Sequence, residues 1–83
     1  MNILEVKNLL ERIDQLICMK STGTPKELAE KLNISERTIY RLIKQLKEMG
    51  APIYFDDIRN SYCYDQKCTF SFKFEIITNE LKS

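Results

Sequence analysis

The chain has 83 residues, 43% of them apolar and 30% charged, and carries a formal net charge of +1. That length fits one small domain burying roughly 60% of its unfolded surface, and the composition excludes a disordered chain. No apolar run approaches the ~20 residues of a membrane span, and the absence of histidine removes the commonest general acid–base group.

The first predicted helix runs from about Ile3 to Met19. Ile3/Leu4, Val6, Leu9/Leu10, Ile13 and Leu16/Ile17 recur at helical spacing and mark one wide inward stripe. Glu5, Lys7, Glu11, Arg12 and Asp14 are assigned to the solvent side, and Asn2 with Glu5 can form a variant capping box. Ser21-Thr22-Gly23 breaks the pattern with turn-prone residues.

Thr24-Pro25-Lys26-Glu27 is a helix start, with Thr24 as cap, Pro25 at the first helical position and Glu27 closing the box. A short helix follows to Leu32 and buries Leu28, Ala29 and Leu32. Asn33 falls where the chain must turn sharply, and Asn tolerates the left-handed conformation. Ile34 plugs the turn, and Ser35 caps a longer helix over 36–49. There Ile39, Leu42/Ile43, Leu46 and Met49 are expected inward, leaving Glu36, Arg37, Tyr40, Arg41, Lys44, Lys47 and Glu48 outward. Gly50 and Pro52 end it.

From residue 52 the period changes to two. Ile53 and Phe55 alternate with Tyr54, 56–61 supplies turn residues, and Tyr62 and Tyr64 alternate with Cys63, a hairpin over 52–65. After a polar break, 69–76 alternates again, with Phe70, Phe72, Phe74 and Ile76 on one face, which predicts an extra strand. That strand either buries its phenylalanines on the first helix or pairs with its copy in a second chain, since an open edge is a template for pairing. Residues 78–83 read as a polar tail. The fold class expected is therefore α+β, a winged helix-turn-helix of three helices, a hairpin and a possible further strand, in one domain over 1–83.

Cys18, Cys63 and Cys68 are odd in number and form no CxxC pair, so reduced thiols are expected, with no metal and no cofactor. No Gly-rich phosphate loop or GxSxG elbow is present, and an enzyme is not expected. The N-terminus shows no signal peptide, so a cytoplasmic protein is expected.

Charge is unevenly spread. Residues 1–19 carry net −1 and residues 48–83 net −2, whereas Lys20, Lys26, Lys31, Arg37, Arg41, Lys44 and Lys47 against Glu27, Glu30 and Glu36 give +4 over 20–47. A cationic excess on a helix pair joined by only Asn33-Ile34-Ser35 points to phosphates, and to double-stranded DNA as partner.

TPKELAEKLNISERTIYRLIKQLKEMGAPI resembles the N-terminal winged helix-turn-helix of DeoR-type and WYL-domain bacterial transcription regulators, over roughly Leu9 to Tyr64. The resemblance extends more loosely to the DNA-binding domain of biotin-operon repressors. It implies DNA-contacting positions at Ser35, Glu36, Arg37, Thr38, Tyr40, Arg41 and Lys44. Arg37 and Arg41 suit guanine, and Ser35, Thr38 and Tyr40 suit phosphate. Thr24 and Lys26 would hold the flanking backbone, and Arg59 and Asn60 sit where the family's wing tip approaches the minor groove. The chain departs from the pattern with Asn33 for Gly in the turn, and with Asp56 and Asp57 at a tip lacking glycines, where they would repel phosphates. The family's effector-binding domain is not expected here. A homodimer through 69–76 fits paired half-sites. The alternative reading is a winged helix used as a protein-interaction or assembly module without DNA binding.

Overall fold

The computed structural model describes residues 2–68, 70 and 71. Three helices, α1 (Ile3–Cys18), α2 (Pro25–Leu32) and α3 (Glu36–Glu48), precede two strands, β1 (Ile53–Asp56) and β2 (Ser61–Tyr64). The strands pair antiparallel in the register Ile53↔Tyr64, Tyr54↔Cys63, Phe55↔Tyr62 and Asp56↔Ser61. Asp56 and Ser61 therefore form the last rung of the ladder, and the connecting loop is residues 57–60, shorter than the turn expected from the sequence. The architecture is an α+β winged helix-turn-helix.

Each helix begins as its sequence dictates. Asn2 Oδ1 accepts from the Glu5 amide at 2.9 Å, and the Asn2 side-chain amide donates to Glu5 Oε1 at 3.1 Å. At α2 the capping box closes in both directions: the Glu27 amide donates to Thr24 Oγ1 (3.2 Å) and the Thr24 amide to Glu27 Oε1 (2.9 Å). Gly23, at φ 73, admits that box, because a Cβ there would lie 2.9 Å from Glu27 Cβ. Asn33 ends α2 in the left-handed region (φ 55, ψ 45), and the Ile34 amide returns to the Ala29 carbonyl at 3.0 Å. Two residues later Ser35 caps α3, and the crossing of α2 and α3 is fixed by packing rather than by a flexible loop.

The core joins Leu10, Ile13 and Ile17 of α1 to Leu28, Ala29 and Leu32 of α2, Ile39, Leu42, Ile43 and Leu46 of α3, and Ile53 and Tyr62 of the hairpin. The Phe55 and Tyr62 rings meet edge to face, with centroids 5.1 Å apart. Phe70 is half-buried against the same core. The remainder of the expected strand over 69–76, the dimer assigned to it and the tail over 78–83 lie outside the described residues.

Several sequence expectations are corrected. Asp14 is buried rather than solvated, because it lies four residues from Leu10 and three from Ile17 on the inward stripe. It is tolerated there by a 2.6 Å hydrogen bond from the Tyr64 hydroxyl. Ile3 and Leu4 are exposed, since the core against which that stripe packs begins only at Val6 and Leu10. Met49 is 61% exposed, not inward: α3 stops at Glu48 and Met49 is its cap. Gly50 follows at φ 102. Cys63 is fully buried beside its cross-strand partner Tyr54.

Candidate nucleic-acid interface

α3 is the most sharply two-sided element of the molecule. Ile39, Leu42, Ile43 and Leu46 are all at most 4% exposed, while Glu36, Arg37, Tyr40, Arg41, Lys44, Gln45, Lys47 and Glu48 are exposed. Arg37, Arg41 and Lys44 stand at i, i+4 and i+7, one line along the side away from the core. Among the described residues no carboxylate forms an ion pair with any of them; the ion pairs present are Lys7–Glu11 and Arg59–Asp56. Three cations on one exposed line, none neutralised by a described residue, form a surface suited to a polyanion.

The start of α3 adds polar groups. Ser35 Oγ accepts from the Thr38 amide at 3.1 Å, and the two hydroxyls are 2.8 Å apart. The start of α3 is also the positive end of its helix dipole, which favours phosphate. Tyr40 is 53% exposed and its hydroxyl donates to Glu36 Oε1 at 3.4 Å. Burial raises the Tyr62 phenol pKa above its ordinary value, and the nearby Tyr40 and Glu36 raise it further.

Around this face the structure places the other expected residues as follows. Thr24 is half-buried as the cap of α2, and Lys26 is exposed in that helix's first turn. Lys31, also on α2, is turned back, its Nζ donating to the Ser21 carbonyl at 2.7 Å. The hairpin tip stands against the start of α2. Asp56 Oδ1 accepts from the amides of Ile58 (2.9 Å) and Arg59 (3.1 Å), and Asp56 Oδ2 lies 4.0 Å from Arg59. The Asp56 carboxylate is thus occupied within the tip. Asn60 adopts φ 56, and its side-chain amide donates to Glu27 Oε1 at 3.3 Å.

Sequence reasoning missed Thr22, which holds the hairpin to the loop ahead of α2. Its amide donates to Ser61 Oγ (3.0 Å), its Oγ1 accepts from the Tyr62 amide (2.8 Å), and both side chains are buried. It also missed Ile58, the most exposed large apolar residue of the described chain. A single Ile between Asp57 and Arg59 was the only available signal for it.

A sequence profile of the HTH domain family matches residues 10–56. The chain belongs to this family of helix-turn-helix DNA-binding domains, which is not an enzymatic one. The matched span covers α1 from Leu10, both helices of the motif and β1. Comparison with curated proteins and with solved structures gives no match. All three cysteines are free, and among the described residues no cluster of His, Cys, Asp or Glu could hold a metal ion. No helix among them is long and apolar enough to cross a membrane.

Proposed function

We propose that this protein is a sequence-specific, cytoplasmic regulator of transcription, of the bacterial winged type, which lays α3 in the major groove of double-stranded DNA. The observation that carries the reading is the exposed line of Arg37, Arg41 and Lys44, without an ion pair among the described residues, on a helix whose other side is wholly buried. Such a helix presents its outward residues at fixed spacing, as base reading requires. Arg37 and Arg41 each read a guanine through O6 and N7. Ser35, Thr38, Tyr40 and Lys44 hold phosphates, with Thr24 and Lys26 on the flanking backbone. Glu36, beside them at the helix start, disfavours phosphate and suits a cytosine amino group.

Selection of bound duplexes from a random pool, followed by salt titration, tests the reading. One sequence class is enriched, and affinity falls steeply with salt. Arg41→Ala costs about 1–3 kcal/mol on the selected site and relaxes one base preference, whereas Lys44→Ala weakens all duplexes alike and lowers the salt slope by about 1. No enrichment together with salt-independent binding refutes the regulator. Equal losses on cognate and random DNA for Arg41→Ala refute its base-reading role.

A further inference from the structure

Ile58 is 97% exposed at the hairpin tip, with Arg59 beside it. A lone exposed apolar residue is ordinary. The way the tip is held is not, because both ends of the loop are pinned. At one end Asp56 Oδ1 gathers the amides of Ile58 and Arg59. At the other, Asn60 donates to Glu27 Oε1, the same oxygen that accepts from the Thr24 amide. Glu27 has little freedom to follow a moving hairpin, since its side chain packs over Gly23 and closes the capping box. Its carboxylate pKa is lowered, chiefly by hydrogen bonding to Thr24. Beneath the tip, Thr22 joins the hairpin to the same loop through buried bonds to Ser61 and Tyr62. A swing of the tip away from α2 must break the Asn60–Glu27 contact and strain this buried set.

We propose that Asn60 is a positioning residue rather than a DNA contact: through Glu27 it holds the hairpin tip on the start of α2, so that Ile58 and Arg59 meet the minor groove as a preset pair. This rests on the DNA-binding reading above. The chemistry of the pair suits that groove. Arginine is drawn into its negative potential where it narrows, and an exposed aliphatic side chain packs on the sugar edges or wedges at a base step. A tip fixed in advance avoids the ordering cost a free loop meets on binding.

The test uses the full chain and the selected duplex. Asn60→Gly keeps the left-handed backbone and removes the amide, while Asn60→Asp sets a second carboxylate against Glu27. Asn60→Gly lowers affinity roughly 3- to 10-fold, and Asn60→Asp lowers it more. In an Ile58→Ala/Arg59→Ala background Asn60→Gly causes no further loss, because the residue acts only through that pair. Replacing flanking A·T pairs by inosine·C, which alters the major groove and preserves the minor-groove pattern, leaves wild-type affinity intact. Wild-type affinity for Asn60→Gly overturns the inference, and so does an equal loss with and without the Ile58 and Arg59 side chains. A drop on the inosine·C duplex overturns the groove assignment. In each of these outcomes the wild-type chain still binds its selected duplex, so the proposed function stands. If the wild type binds no duplex, the function and this inference fall together.

Discussion

The helix-turn-helix and the hairpin are held in different ways. The polar bonds that shape α2 and α3 span three residues, as in Thr24–Glu27 and Ser35–Thr38. Those that place the hairpin span 33 (Glu27–Asn60), 39 (Thr22–Ser61), 40 (Thr22–Tyr62) and 50 (Asp14–Tyr64) residues. The first region is specified by its own short sequence; the second acquires its pose from side chains on α1, the loop before α2 and the first turn of α2. The motif helices can therefore keep their geometry while the hairpin is loosened, and the reverse does not hold.

Thr22→Val is the strongest way to break that asymmetry. The substitution keeps the shape and strands the buried Tyr62 amide, at about 1–3 kcal/mol, while Ser61 keeps its bonds to the Thr22 amide and the Tyr62 carbonyl. Hydrogen exchange should show the amides of β2 opening much more readily, with those in the middle of α3 accelerated least. Uniform acceleration through α2 and α3 would erase the distinction between the regions.

Tyr64→Phe is expected to have a smaller effect, about 1–2 kcal/mol, because it removes one hydrogen bond to a carboxyl and the phenol is only half-buried. It also sharpens the comparison through pH. Burial, then the hydrogen bond to Asp14, raises the Tyr64 phenol pKa well above its ordinary value of 10.0. A group raised in the folded state contributes stability that is fully present below its unfolded value and lost as pH rises beyond it. Wild-type melting temperature should thus decline above pH ~10, and the phenylalanine variant should show a shallower decline. Parallel alkaline curves would mean that another group carries the loss.

Thr24→Ala, on the local side, is the mildest of the three. Loss of the cap costs about 1 kcal/mol, read as a lowered midpoint in urea. Because the Asn60 contact runs through Glu27, a cap failure that left tip-dependent DNA affinity intact would separate the box from the clamp.

The same division explains what the sequence disclosed. The capping box, the left-handed Asn33 and the glycine after α3 follow from neighbours in the chain, and residue types at those positions have few other uses. The outward face of α3 was legible as the complement of its apolar stripe. Asp14 was misplaced because a carboxylate reads as solvated until its donor, 50 residues away, is known. Thr22 looked like a turn former, and its acceptor role depends on β2 arriving beside it. Ile3 and Leu4 show a different limit: periodicity marks the side of a helix that faces inward, not how far along it the core extends.

The pinned tip has a consequence for how this hairpin can diversify. With Asp56 and Asn60 committed to holding the loop, Asp57, Ile58 and Arg59 are the loop positions whose side chains can change without breaking the hydrogen bonds that hold it. Proline is barred at the latter two, whose amides Asp56 requires. Three adjacent codons therefore hold most of the chemistry the tip can explore, and a library randomised at those positions alone samples new contacts on an unchanged mount.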